Sequence, residues 1–227
     1  YDWSIEQISA PNSDASPGGD IFGGSQIMDP SPVTFNNAGP DNITYQVKLR
    51  VKDFCCGWSK PVYKKIVVMP DVNPGGILSN QTVCYNSIPA DLTTSPNGNW
   101  GVNPFTYEWE QSFDGSTWTA ATGNPLGGGT GWDPTQPVTS TVYFRRYIDG
   151  GVCGDKYSNI VTIDVHPEVN SGSIGTNHDI CYNTAASPLT SGAVATGGSG
   201  GFTYVWQSSP DCNGVWTDIP GSNSPTY

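Results

Sequence analysis

FTYEWEQSFDGSTWT, residues 105–119, decides the fold, because it alternates two kinds of side chain and ends in a turn signal. Phe105, Tyr107 and Trp109 take every second position, with polar residues between them. Side chains of a β-strand point alternately to the two faces of a sheet, so this spacing predicts a half-buried strand. The Asp-Gly pair that follows suits a tight turn. The stretch therefore predicts a strand and a hairpin turn, with Tyr and Trp in a core.

A second copy of this stretch, FTYVWQSSPDCNGVWT, occupies residues 202–217. Trp109 and Trp206 stand 97 positions apart, and so do Cys84 in VCYN and Cys181 in ICYN. A period of 97 residues with strand-like texture is the size of one β-sandwich domain. The chain therefore repeats a whole structural unit.

Other alternating or β-branched runs predict further strands, at residues 1–5, 43–54, 63–70, 140–148 and 159–167. Residues 149–155 predict a hairpin turn and residues 9–24 a long loop. Together these elements predict three units.

The three units span residues 1–70, 71–167 and 168–227. Compared with the middle unit, the first lacks the opening strands and the third lacks counterparts of the last two strands. We therefore expect an excerpt of a longer protein in which only the middle unit is complete.

The composition narrows the class of protein. Only 13% of residues are charged, whereas Gly (28) and Pro (19) are abundant, which favours an all-β fold rich in turns. The formal charge of −11 argues against nucleic-acid partners. The absence of an apolar run of about 18 residues argues against membrane insertion.

The residues quoted above, with TVYFRRYI and SNIVTIDVHP later in the middle unit, resemble the Ig-like repeats of very large surface proteins of the Bacteroidota. In the first unit, ITYQVKLRV is similar to a strand of PKD domains, which are also Ig-like sandwiches. Such arrays are typical of SprB-like gliding-motility adhesins exported by type IX secretion. The resemblance implies tandem Ig-like (PKD/Ig-like) β-sandwich domains, the first and last incomplete.

That resemblance also implies a function. It predicts a stalk or adhesion array on the bacterial cell surface, serving gliding motility and attachment to a polysaccharide or solid surface, with the type IX machinery as a further partner. Related modules also accompany secreted hydrolases, so the alternative is an accessory carbohydrate-binding segment of such an enzyme. We expect no catalytic activity in the chain itself, because it contains no G-x-S-x-G, H-E-x-x-H or phosphate-loop motif.

Three tryptophans in loops rich in Gly, Asn or Pro are candidates for carbohydrate contact, namely Trp58, Trp100 and Trp132. Exposed aromatic rings stack well on sugar rings. The interpretation that we prefer is that each ring closes one end of a hydrophobic core, because single aromatic residues are common at protein surfaces.

The six cysteines form no C-x-x-C pair and accompany only two His, which argues against zinc and for disulfides in an oxidising, extracellular or cell-surface compartment. Within the middle unit this predicts a bridge between Cys84 and Cys153, at one end of the sandwich, with free thiols as the alternative. Cys181 either lacks its partner or pairs with Cys212.

Cys55 and Cys56 are adjacent, so they either form a strained vicinal disulfide, bridge to a residue elsewhere in the parent protein, or remain free buried thiols. No motif marks a metal or cofactor site. Oxygen-rich loops leave a structural calcium ion as an alternative.

Overall fold

The computed structural model describes residues 2–9, 34–37, 39–99, 105–211 and 214–226, and for residues 2, 3, 5–9 and 96–99 it describes the backbone alone. Over these ranges the fold is all-β, built from several sheets, as the sequence predicts. The predicted loop at 9–24 lies, apart from Ser9, outside the described residues.

The first unit is a three-stranded antiparallel sheet in the order β1-β2-β5, with a small hairpin inserted between its second and third strands. Its strands are Asp2–Ser9 (β1), Ile43–Arg50 (β2), Lys52–Asp53 (β3), Gly57–Trp58 (β4) and Val62–Val68 (β5). All eight residues of β2 are half-buried, so the predicted difference between its two faces does not appear in their exposure.

The middle unit has a main sheet in the order β10-β9-β13-β15-β7, with β14 also paired to β13, and two separate strand pairs, β6-β8 and β11-β12. Its strands are Asn73–Ile77 (β6), Gln81–Val83 (β7), Thr94–Asn99 (β8), Thr106–Ser112 (β9), Thr119–Ala120 (β10), Asn124–Leu126 (β11), Gly131–Asp133 (β12), Val142–Asp149 (β13), Lys156–Tyr157 (β14) and Val161–Val165 (β15). Single 3-10 turns occupy Gly127–Gly129 and Gly151–Cys153.

The core lies in the middle unit and is built by residues that alternate along its strands. In β13 every second residue is buried, from Val142 to Ile148, and Trp109 of β9 is only 4% exposed. The core residues are Ile77, Leu92, Trp109, Trp132, Val142, Phe144, Val161 and Ile163. The prediction that Trp109 fills the core is confirmed.

The predicted Asp-Gly turn after β9 is also confirmed. Gly115 has a φ of 72°, which the missing Cβ of glycine permits. The Asp114 carboxylate accepts hydrogen bonds from the backbone N–H groups of Ser116 (2.7 Å) and Thr117 (2.6 Å), which hold the pKa of Asp114 well below its usual range.

The third unit contains two short antiparallel pairs, β16-β17 and β18-β19. Their bounds are Ser173–Ile174 (β16), Ser191–Ala193 (β17), Gln207–Ser208 (β18) and Thr217–Asp218 (β19). The register of β18 on β19 copies that of β9 on β10, with one residue inserted in the turn.

The repeat extends to individual hydrogen bonds. At the start of the middle unit, the Asn73 side chain accepts a bond from the N–H of Gly75 at 2.9 Å. Asn170 and Gly172, each 97 positions later, repeat this bond at 2.8 Å. The two copies thus share local backbone geometry as well as sequence.

The strand pairing of the first unit also follows the middle one. Trp3 lies opposite Leu49, as Trp109 lies opposite Arg146, and Leu49 and Arg146 are 97 positions apart. In both units the strand that carries this tryptophan therefore pairs with the strand that comes before the unit's last long strand.

The same offset of 97 positions holds where β2 and β13 pair with their other neighbours, β5 and β15. Tyr45 pairs with Ile66 in the first unit, and Val142 pairs with Ile163 in the middle unit. Since both partners shift by 97 positions, the two sheets share one register over three strands.

A charged residue lies inside the middle unit. Arg146 is fully buried in β13, and its guanidinium donates to the backbone oxygens of Thr130 (2.7 Å) and Pro74 (2.6 Å). The guanidinium carbon also lies 4.8 Å from the centre of the Tyr107 ring. Burial lowers the pKa of Arg146. The side chain ties β13 to the first strand of the unit.

Replacing Arg146 by Lys should destabilise the middle unit by about 2 kcal/mol, because one ammonium group cannot satisfy both carbonyl oxygens while the charge stays buried. Urea unfolding followed by tryptophan fluorescence measures this change. Arg145→Lys, on the same strand but half-exposed, is the matched control and should change stability by less than about 1 kcal/mol. Equal losses in the two variants would contradict this role for Arg146.

Candidate functional site

The three candidate tryptophans have different environments. Trp132 is only 8% exposed and stacks on Trp109, with ring centres 6.0 Å apart. Its backbone exchanges two hydrogen bonds with Leu92, which draws it into the core. Trp132 therefore closes the core, as the preferred interpretation predicts, and the alternative that it contacts a carbohydrate is wrong. Trp100 lies outside the described residues.

Trp58 alone of the three is described and exposed, with 46% of its surface accessible. It lies on β4, at the small hairpin of the first unit, directly opposite Lys52 on β3. The Arg50 guanidinium carbon is 4.9 Å from the centre of its ring, and the Lys52 ammonium nitrogen is 5.7 Å away. Cations at this distance are attracted to the ring face and hold the indole in place.

Positive charge is concentrated in the segment of sequence that carries this ring. Six of the nine Lys and Arg residues of the chain lie between positions 48 and 65. They are Lys48, Arg50, Lys52, Lys60, Lys64 and Lys65. In a chain with a formal charge of −11, an aromatic ring set among cations suits an anionic ligand better than a neutral one.

The outer face of the middle unit carries a second aromatic cluster, which the sequence analysis missed. Arg145 lies between two rings, with its guanidinium carbon 4.1 Å from the centre of Trp118 and 4.0 Å from that of Tyr157. Its Nε is 2.6 Å from a Glu110 carboxylate oxygen. The signal was present in VYFRRYI, because Arg145 occupies an outward position of a strand whose alternate residues are buried.

Tyr147 continues this outer face, and its ring centre is 5.4 Å from that of Tyr157. A side-chain hydrogen bond to Asp155 raises the pKa of Tyr147 to about 12. The face is thus an ordered strip of rings around one ion pair, and it can offer flat aromatic surface to a ligand.

The predicted bridge between Cys84 and Cys153 is not formed, and both thiols are free. Cys84 follows Val83, which pairs with Val165 beyond the start of β13, whereas Cys153 lies beyond the other end of β13 at Asp149. At about 3.3 Å per residue the two are roughly 30 Å apart. Because a disulfide requires Cα atoms within about 7 Å, the structure corrects this pairing.

Three of the remaining cysteines, Cys55, Cys56 and Cys181, are free and exposed, which differs from the predicted buried thiols at Cys55 and Cys56. Cys55 and Cys56 are exposed free thiols, not buried ones, and both backbone N–H groups donate to the Asp53 carboxylate at 2.9 Å. Cys181 is free and exposed, and Cys212 lies outside the described residues.

Metal binding and membrane insertion are two broader function classes on which the described residues bear. Within the described residues, no three His, Cys, Asp or Glu side chains gather closely enough to hold a metal ion, and the calcium alternative stays a prediction. No helix in the described part of the chain is both long and apolar enough to cross a membrane.

These observations define a tandem-repeat all-β protein with exposed aromatic clusters. Residues 73–167 and 170–227 each match the family model described as "Domain of unknown function (DUF8696)". The two matches cover more than half of the chain, so the chain belongs to this family. No curated protein matches the sequence.

The phenol of Tyr147 provides a pH test of the outer face. Because its folded-state pKa lies above the ordinary value of 10, its contribution to stability is fully present below pH 10 and is lost as the pH rises towards 12. Tyr147→Phe should therefore make the fall in stability between pH 10 and pH 12 less steep, as measured by urea unfolding.

An independent measurement uses the ultraviolet absorbance of tyrosinate. Asp155→Asn should return the pKa of Tyr147 towards 10, because the variant lacks the carboxylate that accepts the hydrogen bond of the phenol. An unchanged titration in Asp155→Asn would contradict the assigned cause.

Proposed function

We propose that the chain is a stalk and adhesion segment of a secreted bacterial cell-surface protein, built from tandem Ig-like β-sandwich units that serve attachment and gliding motility. The observation that carries this proposal is the path of the chain through the middle unit. The chain enters at one end of the main sheet and leaves at the other, so each further unit adds length.

Contacts at both ends support this path. At the entrance, Lys156 forms an ion pair with Asp71 (3.2 Å), close to the end of β13. At the exit, the N–H of His166 donates to the oxygen of Val83, beyond the start of β13. Units linked in this way extend along one axis, as a stalk requires.

The exit leads directly into the third unit. The N–H of Gly198 donates to the oxygen of Pro167 at 2.8 Å, and Asn170 pairs with Thr196. The third unit thus begins within three residues of Pro167, the last residue of the middle unit, so the linker between these two units is short. A short connection favours a stiff array over a loosely jointed one.

An extended array predicts a large radius of gyration in X-ray scattering. A compact single domain of 227 residues has a radius of gyration of about 17 Å. Three units of about 30 Å each, joined end to end, give roughly 25–30 Å, because every unit adds the length of its strands. A value near 17 Å for the monomer would contradict the stalk.

Adhesion itself is tested with beads that carry the chain covalently. Retention on glass and on polysaccharide films under flow should exceed that of beads carrying heat-denatured chain. An extended chain without such retention would support the stalk and place adhesion elsewhere in the parent protein. Export by the type IX machinery belongs to the same proposal and rests on the family resemblance.

The second candidate function is carbohydrate binding, and the environment of Trp58 favours it. The exposed ring with its two cations suits an acidic polysaccharide, because the ring stacks on sugar faces while Arg50 and Lys52 attract carboxylates. Such binding would also fit an accessory segment of a secreted hydrolase.

Affinity electrophoresis in gels containing alginate or dextran tests this candidate. The chain should be retarded by alginate more than by dextran, and Trp58→Ala should reduce that retardation by at least threefold. Trp216→Ala, a similarly exposed tryptophan in the third unit, is the matched control and should leave it unchanged. Equal mobility of all forms in both gels would exclude this site.

A further inference from the structure

Two cysteines occupy the same turn in different units. Cys84 and Cys181 each open a four-residue turn whose third residue is an asparagine with positive φ, 59° at Asn86 and 60° at Asn183. In both turns the oxygen of the cysteine accepts a backbone hydrogen bond at 3.2 Å from the residue three positions later. We call Cys84 and Cys181 the turn cysteines.

Two other cysteines share a second position. Cys56 and Cys153 are also 97 residues apart, and each precedes a glycine in the left-handed region, with φ of 81° at Gly57 and 83° at Gly154. Each lies after the strand that pairs with the strand carrying Trp3 or Trp109 in its unit. We call Cys56 and Cys153 the hairpin cysteines.

The two classes lie at opposite ends of a unit. The hairpin cysteine Cys153 lies at the entrance, because Gly150, three residues earlier, packs so closely on Val72 that an added Cβ would clash with it. The turn cysteine Cys84 lies at the exit, next to Val83, which pairs with Val165. A bridge within one unit would have to span the length of the sheet.

Consecutive units bring the two classes together. The middle unit is entered at its hairpin-cysteine end and left at its turn-cysteine end. In an array of units that all follow this path, each junction has a turn cysteine on one side and a hairpin cysteine on the other. The contact between Gly198 and Pro167 shows that the entrance loops of one unit reach the exit of the unit before it.

We propose that the hairpin cysteine of each unit forms a disulfide with the turn cysteine of the preceding unit, so that the bridge crosses the junction. Two thiols lose two protons and two electrons as the S–S bond forms, and a small-molecule disulfide such as oxidised glutathione takes up the electrons and is reduced to two thiols. The inference rests on the tandem array proposed above, but not on adhesion.

This pairing accounts for the free thiols of the middle unit. By the repeat, Cys84 would pair with the hairpin cysteine of the unit after its own, and Cys153 with the turn cysteine of the unit before its own. Both thiols are free and at least partly accessible, Cys84 exposed and Cys153 half-buried.

The test adds the missing strands to the whole chain. Residues 130–167 are appended after Tyr227, which by the repeat supplies the third unit with a copy of β13, of β15 and of Cys153. In this extended chain Cys55, Cys56, Cys153 and Cys212 at their original positions are replaced by Ser. Three thiols then remain, at Cys84, at Cys181 and in the appended copy of Cys153.

The extended chain is incubated with oxidised and reduced glutathione, alkylated, digested without reduction and analysed by mass spectrometry. The expected product is a peptide that links Cys84 to the appended copy of Cys153, and Cys84→Ser should abolish it. A link between Cys181 and the appended copy, which is pairing within one unit, would overturn the proposal, as would alkylation of all three thiols.

A second measurement uses the natural 227-residue chain and does not depend on folding of the added segment. Spin labels on Cys84 and Cys153, with the other four cysteines replaced by Ser, should give an interspin distance of roughly 30 Å by pulsed electron paramagnetic resonance. A distance below about 15 Å would bring the two thiols to the same end of the unit and overturn the proposal.

X-ray scattering of the extended chain separates this inference from the stalk. A large radius of gyration without the cross-junction bridge would overturn the disulfide alone and leave the stalk standing. A compact particle would overturn both, because no junction would then exist for the bridge to cross.

Discussion

The antiparallel register of β9 on β13 is the constraint on which the rest of the structure depends. It sets Trp109 opposite Arg146. This pairing also determines which face of the sheet each residue of β13 occupies. Residues from Val142 to Ile148 alternate into the core, while Arg145 and Tyr147 point outward to meet the rings of the outer face. A slip of one residue would exchange these two sets, because the side-chain period of a strand is two. The same register in the first unit, with Trp3 opposite Leu49, shows that the repeat is defined by strand pairing.

Leu49 and Arg146 occupy equivalent positions, so the strand itself does not demand a charged residue there. In the middle unit a charged residue is needed because Arg146 donates hydrogen bonds to the backbone oxygens of both Pro74 and Thr130. An apolar side chain would bury comparable area but could not join two segments that are distant in sequence. Burying the guanidinium costs desolvation free energy, but its hydrogen bonds fix the position of β6. This strand is also where the chain enters the unit.

The sequence predicted the strands well because their signals are local. Alternation in FTYEWEQ and VYFRRYI depends only on residues near each other in the chain, and the 97-residue repeat is visible by direct comparison of two stretches of sequence. Two interpretations of Trp132 stayed open at the level of sequence, because its place in the core depends on hydrogen bonds with Leu92, forty positions earlier, which no local pattern reveals. Cys84 was misplaced for a similar reason: the parallel pairing of β7 with β15 carries it to the far end of the sheet from Cys153. The outward position of Arg145 could be predicted from the alternation along its strand. Its ring partners could not, because Trp118 and Tyr157 come from two other segments of the chain.

The parallel pairing of β7 with β15 also bears on how a stalk carries load. β7 follows the entrance strand β6 in the chain, and β15 leads directly to the exit. A force along the array therefore pulls these two parallel strands in opposite directions along their length. In that geometry the hydrogen bonds between Gln81–Val83 and Ile163–Val165 are sheared together, whereas a force across the strands would open them one at a time. The unit therefore resists extension along the axis on which its entrance and exit lie. A disulfide across each junction would complete this arrangement, because it would hold neighbouring units in line and direct the force into the paired strands.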